Sequence, residues 1–542
     1  MYFQRVFLIL SFFLCSFFLW KAWNKDKNIL VSHYIVKENS PTNHISKFIY
    51  NSQKNNIFIK TDVFNIVIDK NNGYIKSVKL LKYRDEEDPS KYLNLLRTES
   101  NYIFQMKTGF TEIKNFNNLH QDINGIYHTK KKFYQLLPFH NKLIVPMIFI
   151  SQDGKKFIKK FIFHRGRYDV KIKYHIYNNT NKNFKVRIFG ECIQTVDPFF
   201  IDNYNLSANK YRGISYSSDN DKYVRLQLDD ISQNKESLYK KINIGWIAMV
   251  QKYFTAVLVP NTDVKPNTIY TKKINKDIVV AGYHNSPVYL YPHSFKEFDV
   301  KLWIGPKNQN EMAALAPNLN FTVEYGFLWF LSKPLLNCLS IFHSIFGNWG
   351  FSIIFLTLIM RLCMLPLTKA QFLSMAKLKS LKPEIDYLKN KYKNDPARIS
   401  SEIILLYKRK KINPLSGLLP VIIQMPIFLS FYYTLTNSIE LKYSPFIFWI
   451  QDLSSYDPFY ILPILMGCSM FIGQKINSSH TFNNDISENI QEKIMFLTPF
   501  LFTIFFLWFP SGLVLYYLVS NIFNLVQQRL ITINLKKKQE KD

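Results

Sequence analysis

The sequence predicts a multi-span α-helical membrane protein that carries an all-β sandwich domain outside the membrane. Three observations predict it. Residues 57–320 alternate apolar and polar side chains with period two, residues 348–532 hold five apolar runs, and one further apolar run occupies residues 6–23. The mean hydropathy of −0.09 over 542 residues averages these two populations and describes neither. The formal charge is +30, a balance that suits anionic lipid or a ribosome. The general Lys/Asn/Ile/Phe bias of the chain accounts for part of that surplus.

The first apolar run, "VFLILSFFLCSFFLWKAW", follows Arg5 and ends on Trp20 and Trp23 rather than on small residues of a cleavage site. Tryptophans at that place suit a membrane–water interface, so residues 1–23 read as an uncleaved signal-anchor helix. Residues 24–56, rich in Asn, Lys and Ser, read as a linker.

Within residues 57–320, "YDVKIKYHIY" puts Val170, Ile172, Tyr174 and Ile176 on one face, and "FKVRIF" does the same with Val186 and Ile188. "DVFNIVIDKNNGYIKSVKL" reads as strand, Asn-Gly turn, strand. Many short alternating strands without helical segments between them predict a large antiparallel sandwich. The sequence carries no nucleophile motif, metal spacing or phosphate loop there. A carbohydrate-active site assembled only by folding stays open as an alternative. The five cysteines (15, 192, 338, 363 and 468) form no CxxC pair, which excludes a disulfide framework or zinc site, and Cys192 reads as a small core residue.

Residues 321–347 are apolar but interrupted by Lys333, Pro334, Asn337 and His343, which suits a helix lying in the interface. Crossing helices are expected near 349–367, 418–437, 459–474, 494–509 and 513–531, several close to the shortest length that spans ~30 Å of hydrocarbon. With the anchor they make six. Between the first two of these five, residues 368–416 carry twelve Lys or Arg against four acids, while the short loop 439–457 has Lys442 alone. Cytoplasmic loops hold the excess of basic residues, which puts 368–416 and the basic tail 533–542 inside, and by parity the N-terminus inside and the β domain outside. Lys21, Lys25 and Lys27 after the first span run against this local pattern. The 368–416 segment repeats Leu378, Leu381, Ile385, Leu388 and Tyr392, then Ile399, Ile403, Leu406 and Tyr407, at helical spacing on either side of "NDPAR". That pattern is a helical hairpin with basic outer faces.

One residue in the spans stands out. Arg361 lies in the first of the five, and none of the five contains an Asp or Glu. A guanidinium in hydrocarbon is costly and marks a functional site by default. Two readings stand: it snorkels about 9 Å toward the cytoplasmic headgroups, or it faces a hydrated cavity. Thr357 one turn earlier, with Gln424, Ser430, Thr434, Thr503, Ser520, Asn521, Asn524, Tyr516 and Tyr517 in other spans, favours the cavity.

The segments "FLWKAWNKDK", "GNWGFSIIFLTLIMRLCMLPLTKAQFLSMAKLK", "NPLSGLLPVIIQMPIFLSFYYTL", "PFIFWIQDLSSYDPFYILPILMG" and "FLWFPSGLVLYYLVSN" resemble, in order and spacing, those of the YidC membrane insertases of Gram-negative bacteria (YidC/Oxa/Alb family). The resemblance is dense from about 320 to 532 and mostly positional across the β domain. It implies a five-helix core around a hydrophilic groove, a galactose-mutarotase-like periplasmic supersandwich without catalysis, and an inner-membrane location. It further implies that Arg361, Thr357 and Tyr517 fall on groove positions, and that Met425 and Phe428 fall on the third-span face that meets substrate. Gln424 and Tyr516 lie beside them. Implied partners are nascent inner-membrane proteins, the Sec translocon (SecYEG and SecDF), ribosomes, signal-recognition components and anionic lipid. No cofactor and no sequence-specific nucleic acid is implied. The short tail after Ile531 and the polar loop "NSSHTFNNDISENIQ" depart from the family pattern. A solute transporter or channel is the rival reading, and it predicts repeats and paired intramembrane charges that the sequence lacks.

Overall fold

The computed structural model describes residues 55–539, apart from 86–87, 89, 100–101, 114–119, 197–211, 262, 276, 393–394, 411–418 and 479–496. The signal anchor 1–23, nearly all of the linker 24–56 and the polar loop after residue 478 therefore lie outside the described residues.

From Asn56 to Pro306 the chain forms two facing sheets, one of twelve strands and one of eight among the described residues. The local chemistry is the alternation itself. In the strand Asp169–Asn178 the side chains of Val170, Ile172, Tyr174 and Ile176 are all fully buried, and Val186 and Ile188 do the same in Phe184–Thr195. Phe64–Asp69 and Ile75–Arg84 pair as an antiparallel hairpin whose turn puts Asn72 (φ 70°) and Gly73 (φ 64°) in the left-handed region. Asn and Gly are the two residues that tolerate that backbone best, and two consecutive positive φ values match the right-handed twist of the strands. Cys192 is a buried free thiol.

The eight-stranded sheet runs, neighbour to neighbour, Val224–Gln227, Gly213–Ser217, Trp246–Val250, Phe254–Val259, Phe295–Pro306, Asp169–Asn178, Lys155–His164 and Lys142–Ile150. A short helix α1 (Leu228–Ser232) interrupts the strand series, and α2 (Gln309–Leu315) follows its last strand. The expected absence of helices between strands thus has a small exception among the described residues.

Polar contacts then bind the sandwich to the helical part. Tyr223 and Arg225 reach Glu324 at 2.6 and 2.5 Å, and the Glu324 carbonyl accepts from Asn437 Nδ2 at 2.7 Å. Gln309 donates to the Tyr325 hydroxyl, which meets Ser438 at 3.3 Å. Lys442 Nζ sits 4.1 Å from the centre of the Tyr253 ring.

The helical part comprises α3 (Trp329–Phe346), α4 (Trp349–Cys363), α5 (Leu365–Ser380), α6 (Lys382–Lys391), α7 (Pro396–Arg409), α8 (Leu419–Asn437), α9 (Ile461–Ser478), α10 (Leu497–Phe506) and α11 (Ser511–Gln539). Helix α3 buries Ser332, Leu336 and Leu339 against its neighbours and leaves Phe330, Ile341 and Ile345 exposed. Helices α6 and α7 face each other across Pro383, Tyr387, Leu388 and Leu406, and Lys410 bonds Glu384 at 2.9 Å.

Among the described residues no single helix is long and apolar enough to cross a membrane, but α4 and the first part of α5 together are, bent by 57°. Residues 349–367, where a crossing helix is expected, hold α4 and the start of α5, with this bend between them. Pro366 explains the break: it lacks an N–H, and its ring clashes with the carbonyl four residues back. Helix α11 also continues through most of the expected tail, to Gln539.

Candidate functional site

Helix α4 begins on Asn348, whose Oδ1 accepts from the N–H groups of Gly350 (2.8 Å) and Phe351 (3.3 Å). This side-chain cap satisfies donors the helix itself cannot. Its buried residues, Gly350, Ser352, Ile353, Leu356, Thr357 and Arg361, recur at helical spacing and make one stripe. Arg361 closes that stripe and is only 8% exposed. Its guanidinium turns inward to α11 rather than out along α4.

The partner is Ser520. Arg361 Nε donates to Ser520 Oγ at 2.6 Å, and Nη2 donates to the same oxygen. Gln527 Nε2, two turns further along α11, reaches the Arg361 carbonyl at 3.4 Å. A guanidinium has five N–H donors. Among the described residues its hydrogen bonds end on one hydroxyl oxygen, and the five expected spans supply no carboxylate.

Two tyrosines on α11 complete the surroundings. Tyr516 and Tyr517 are the electrostatic neighbours of the guanidinium. Tyr516 is buried, stacks on Phe431 of α8 (centroids 4.5 Å apart, 16° between planes) and lies near Gln424. Tyr517 packs edge-on to Phe428 (6.1 Å) and against Phe506 (5.2 Å). Arg361, Gln424, Phe428, Tyr516 and Tyr517 thus form one constellation across α4, α8 and α11.

The other two candidates are placed differently. Thr357 is fully buried, and its hydroxyl donates to the Ile353 carbonyl one turn back at 2.6 Å. Met425 is 54% exposed on α8. Ser430 and Thr434 also bond back along α8, to Pro426 and Ser430. Such back-bonding is the ordinary use of hydroxyls in apolar helices. Ser520 is the exception, and in the sequence it is one of nine polar groups in the other expected spans. Nothing local distinguishes it from Ser430; the distinction comes from a neighbour 159 residues away.

A β-sandwich that leads into short apolar helices around one buried arginine defines a class: a membrane protein with a folded extramembrane domain and a polar site in its helical part. The sequence of the 60Kd inner membrane protein family matches residues 341–539, and that of the YidC periplasmic domain matches residues 56–338. The chain is 44% identical to the membrane protein insertase YidC of Buchnera aphidicola subsp. Baizongia pistaciae over 540 residues, covering 99% of each chain. It is 45% identical to that of the Acyrthosiphon pisum subspecies (strain APS) over 538 residues, covering 98% and 99%. The chain belongs to the YidC family, whose members are inner-membrane insertases with a periplasmic domain and not enzymes. The transporter reading finds no support in these relatives.

Among solved structures, the chain is similar to an active YidC insertase with its first transmembrane domain resolved (16% identity, TM-score 0.38, 87% of this chain and 91% of that one). It is also similar to a galactose mutarotase-like protein from Lactobacillus casei (8% identity, TM-score 0.31, 46% and 99%).

Proposed function

We propose that this protein inserts and chaperones inner-membrane proteins through a groove that holds Arg361, Gln424, Phe428, Tyr516 and Tyr517, with Thr357 in its wall and Met425 at its outer lip. The observation that carries this reading is Arg361 buried against a lone hydroxyl. Its charge is permanent, and a single neutral acceptor leaves donors for water at rest and for a polar or acidic client segment in passage.

The polar part of a nascent span enters beside Arg361, and the apolar part leaves into lipid past Phe428 and Met425. Burial of the client drives the step. At about 25 cal/mol per Å² a 20-residue apolar helix supplies ample free energy without a nucleotide. Six crossings, with both termini cytoplasmic and the sandwich periplasmic, accord with the basic residues of 368–416 and 533–542. In that arrangement 321–347 lies in the interface and α6–α7 form a cytoplasmic hairpin. The cationic hairpin would meet anionic lipid or the ribosome, and the Sec translocon would work beside the core.

Site-specific photo-crosslinkers at positions 357, 425 and 517, probed on ribosomes stalled with a small membrane protein, test the reading. Adducts with the nascent span from these positions and not from lipid-facing controls are expected, weakened by Arg361→Ala. Their absence at all three removes the groove mechanism.

A further inference from the structure

Phe139 is 100% exposed, yet its loop is tied down. Arg165 Nη2 donates to the Leu137 carbonyl at 2.6 Å and its Nε to the His140 carbonyl at 3.1 Å. The Arg165 N–H holds the Asn141 carbonyl at 3.0 Å, and the His140 N–H closes on Leu137 at 3.2 Å. Phe139 itself has φ 70°, a backbone conformation that a bulky residue rarely takes. A strained, fully exposed aromatic held by four hydrogen bonds points to function rather than to a loose loop.

The sheet register says which way it points. In the eight-stranded sheet Lys142 lies opposite His164, Val170 opposite Phe163, Asp169 opposite Trp303, and Phe254 opposite Pro306. These strand ends form one edge of the sandwich. At that edge Pro306 leads into α2 and the helical part, and Tyr253 carries Lys442 over its ring. The strand Lys142–Ile150, which the Phe139 loop feeds, is three neighbours along from Phe295–Pro306, about 14 Å at ordinary strand spacing. Phe139 therefore projects from the pole of the sandwich that meets the membrane core.

Beside it stand exposed Leu137, Lys142 and Arg165, and residues 133–152 contain no acid. An apolar tip with cations at its base is the chemistry of an interfacial anchor. It is also too small for the flat area a stable protein partner needs. We propose that Leu137 and Phe139 insert into the outer leaflet of the membrane beside the core, with Lys142 and Arg165 on the phosphates of anionic phospholipid. This rests on the reading that α4–α11 lie in the membrane with the sandwich outside.

The full chain is reconstituted in vesicles of phosphatidylethanolamine with a minority of phosphatidylglycerol, with Phe139, Phe295 or Phe505 replaced by benzoylphenylalanine. Phe295 is also exposed (59%) but at the far end of its strand, and Phe505 is an exposed residue of α10. After irradiation, phospholipid adducts are read by mass. Adducts at 139 comparable to those at 505 and roughly tenfold above those at 295 are expected. Arg165→Gln, which unties the loop, should lower labelling at 139 severalfold and leave 505 unchanged. Labelling at 505 with none above the 295 level at 139, or protein adducts in place of lipid at 139, overturns the anchor while sparing the membrane core. No lipid adduct at 505 overturns the reading beneath it.

Discussion

The sandwich and the helical part each hold a buried basic side chain, Lys159 and Arg361, that pairs with no acid among the described residues, and they treat it in opposite ways. Lys159 is fully buried between the sheets, and its Nζ donates to the carbonyls of Gly73 (2.6 Å) and Thr108 (2.8 Å). Burial pushes its ammonium well below the usual lysine range, so desolvation works against a charge there. Arg361 has no such escape, because a guanidinium keeps its proton at any working pH. Two carbonyls complete Lys159, whereas one hydroxyl leaves Arg361 incomplete. The first ties the two sheets together; the second has donors to spare among the described residues, as the proposed groove requires.

Removing each cation should therefore do opposite things. Arg361→Ala should lower insertion of clients with acidic or polar translocated segments by roughly ten- to hundredfold. That is the loss of a charge-assisted hydrogen bond of about 1.5–3 kcal/mol. Thermal stability in detergent should hold or rise, since an under-satisfied buried charge is gone. A variant that inserts normally but melts earlier would make Arg361 a staple like Lys159 and dissolve the contrast.

Lys159 is tested by pH. Between its depressed folded value and 10.5 the unfolded chain binds one proton more than the folded chain, so stability rises with pH and is lost as pH falls. The slope is steepest where the folded amine has lost its proton and the unfolded one has not, in the alkaline range below 10.5. Lys159→Met should flatten this part of the profile, seen in melts of the full chain across that range, while insertion is unchanged. Equal slopes in both proteins would mean that the native lysine stays charged.

The same two residues show what could be read from sequence. Strand alternation, the Asn72-Gly73 turn and the inward faces around Val170 and Val186 were legible because each is encoded within ten residues. Even Lys159 was available: "KFIKKFIF" puts it in phase with Phe157 and Phe161 on the inward face. The break at Met364 was also available, from Pro366, but a hydropathy count over 349–367 runs straight through a proline. Arg361 was legible as an oddity and its constellation in part. The choice of Ser520 over eight other polar groups was not, because helix packing decides it and packing is non-local. The strand order of the two sheets was hidden for the same reason.

Ser520→Ala sharpens the account of that pairing. With Arg361 present it leaves a buried guanidinium without its hydroxyl and should cost about 2 kcal/mol of stability. With Arg361→Ala in place it should cost almost nothing, a coupling that a double-mutant cycle measures directly. Additive effects would mean that the hydroxyl matters for packing alone.

The smallest effect concerns how the two regions yield to crowding. A Cβ at Gly467 of α9 would come 2.0 Å from Thr503 Oγ1 of α10, with the next Thr503 atom at 3.3 Å. In the sandwich, a Cβ at Gly245 would meet the Ser217 carbonyl oxygen at 2.2 Å, which is backbone held in a ladder. Gly467→Ala should lower the melting free energy by about 1 kcal/mol, the low end for overpacking. Thr503→Ala should restore most of it, because the offending atom is the end of a side chain. Gly245→Ala has no such rescue, since no side-chain change moves the Ser217 carbonyl. If Thr503→Ala fails to rescue Gly467→Ala, α9 and α10 are locked backbone to backbone, and the helical part is as unyielding as the sheets.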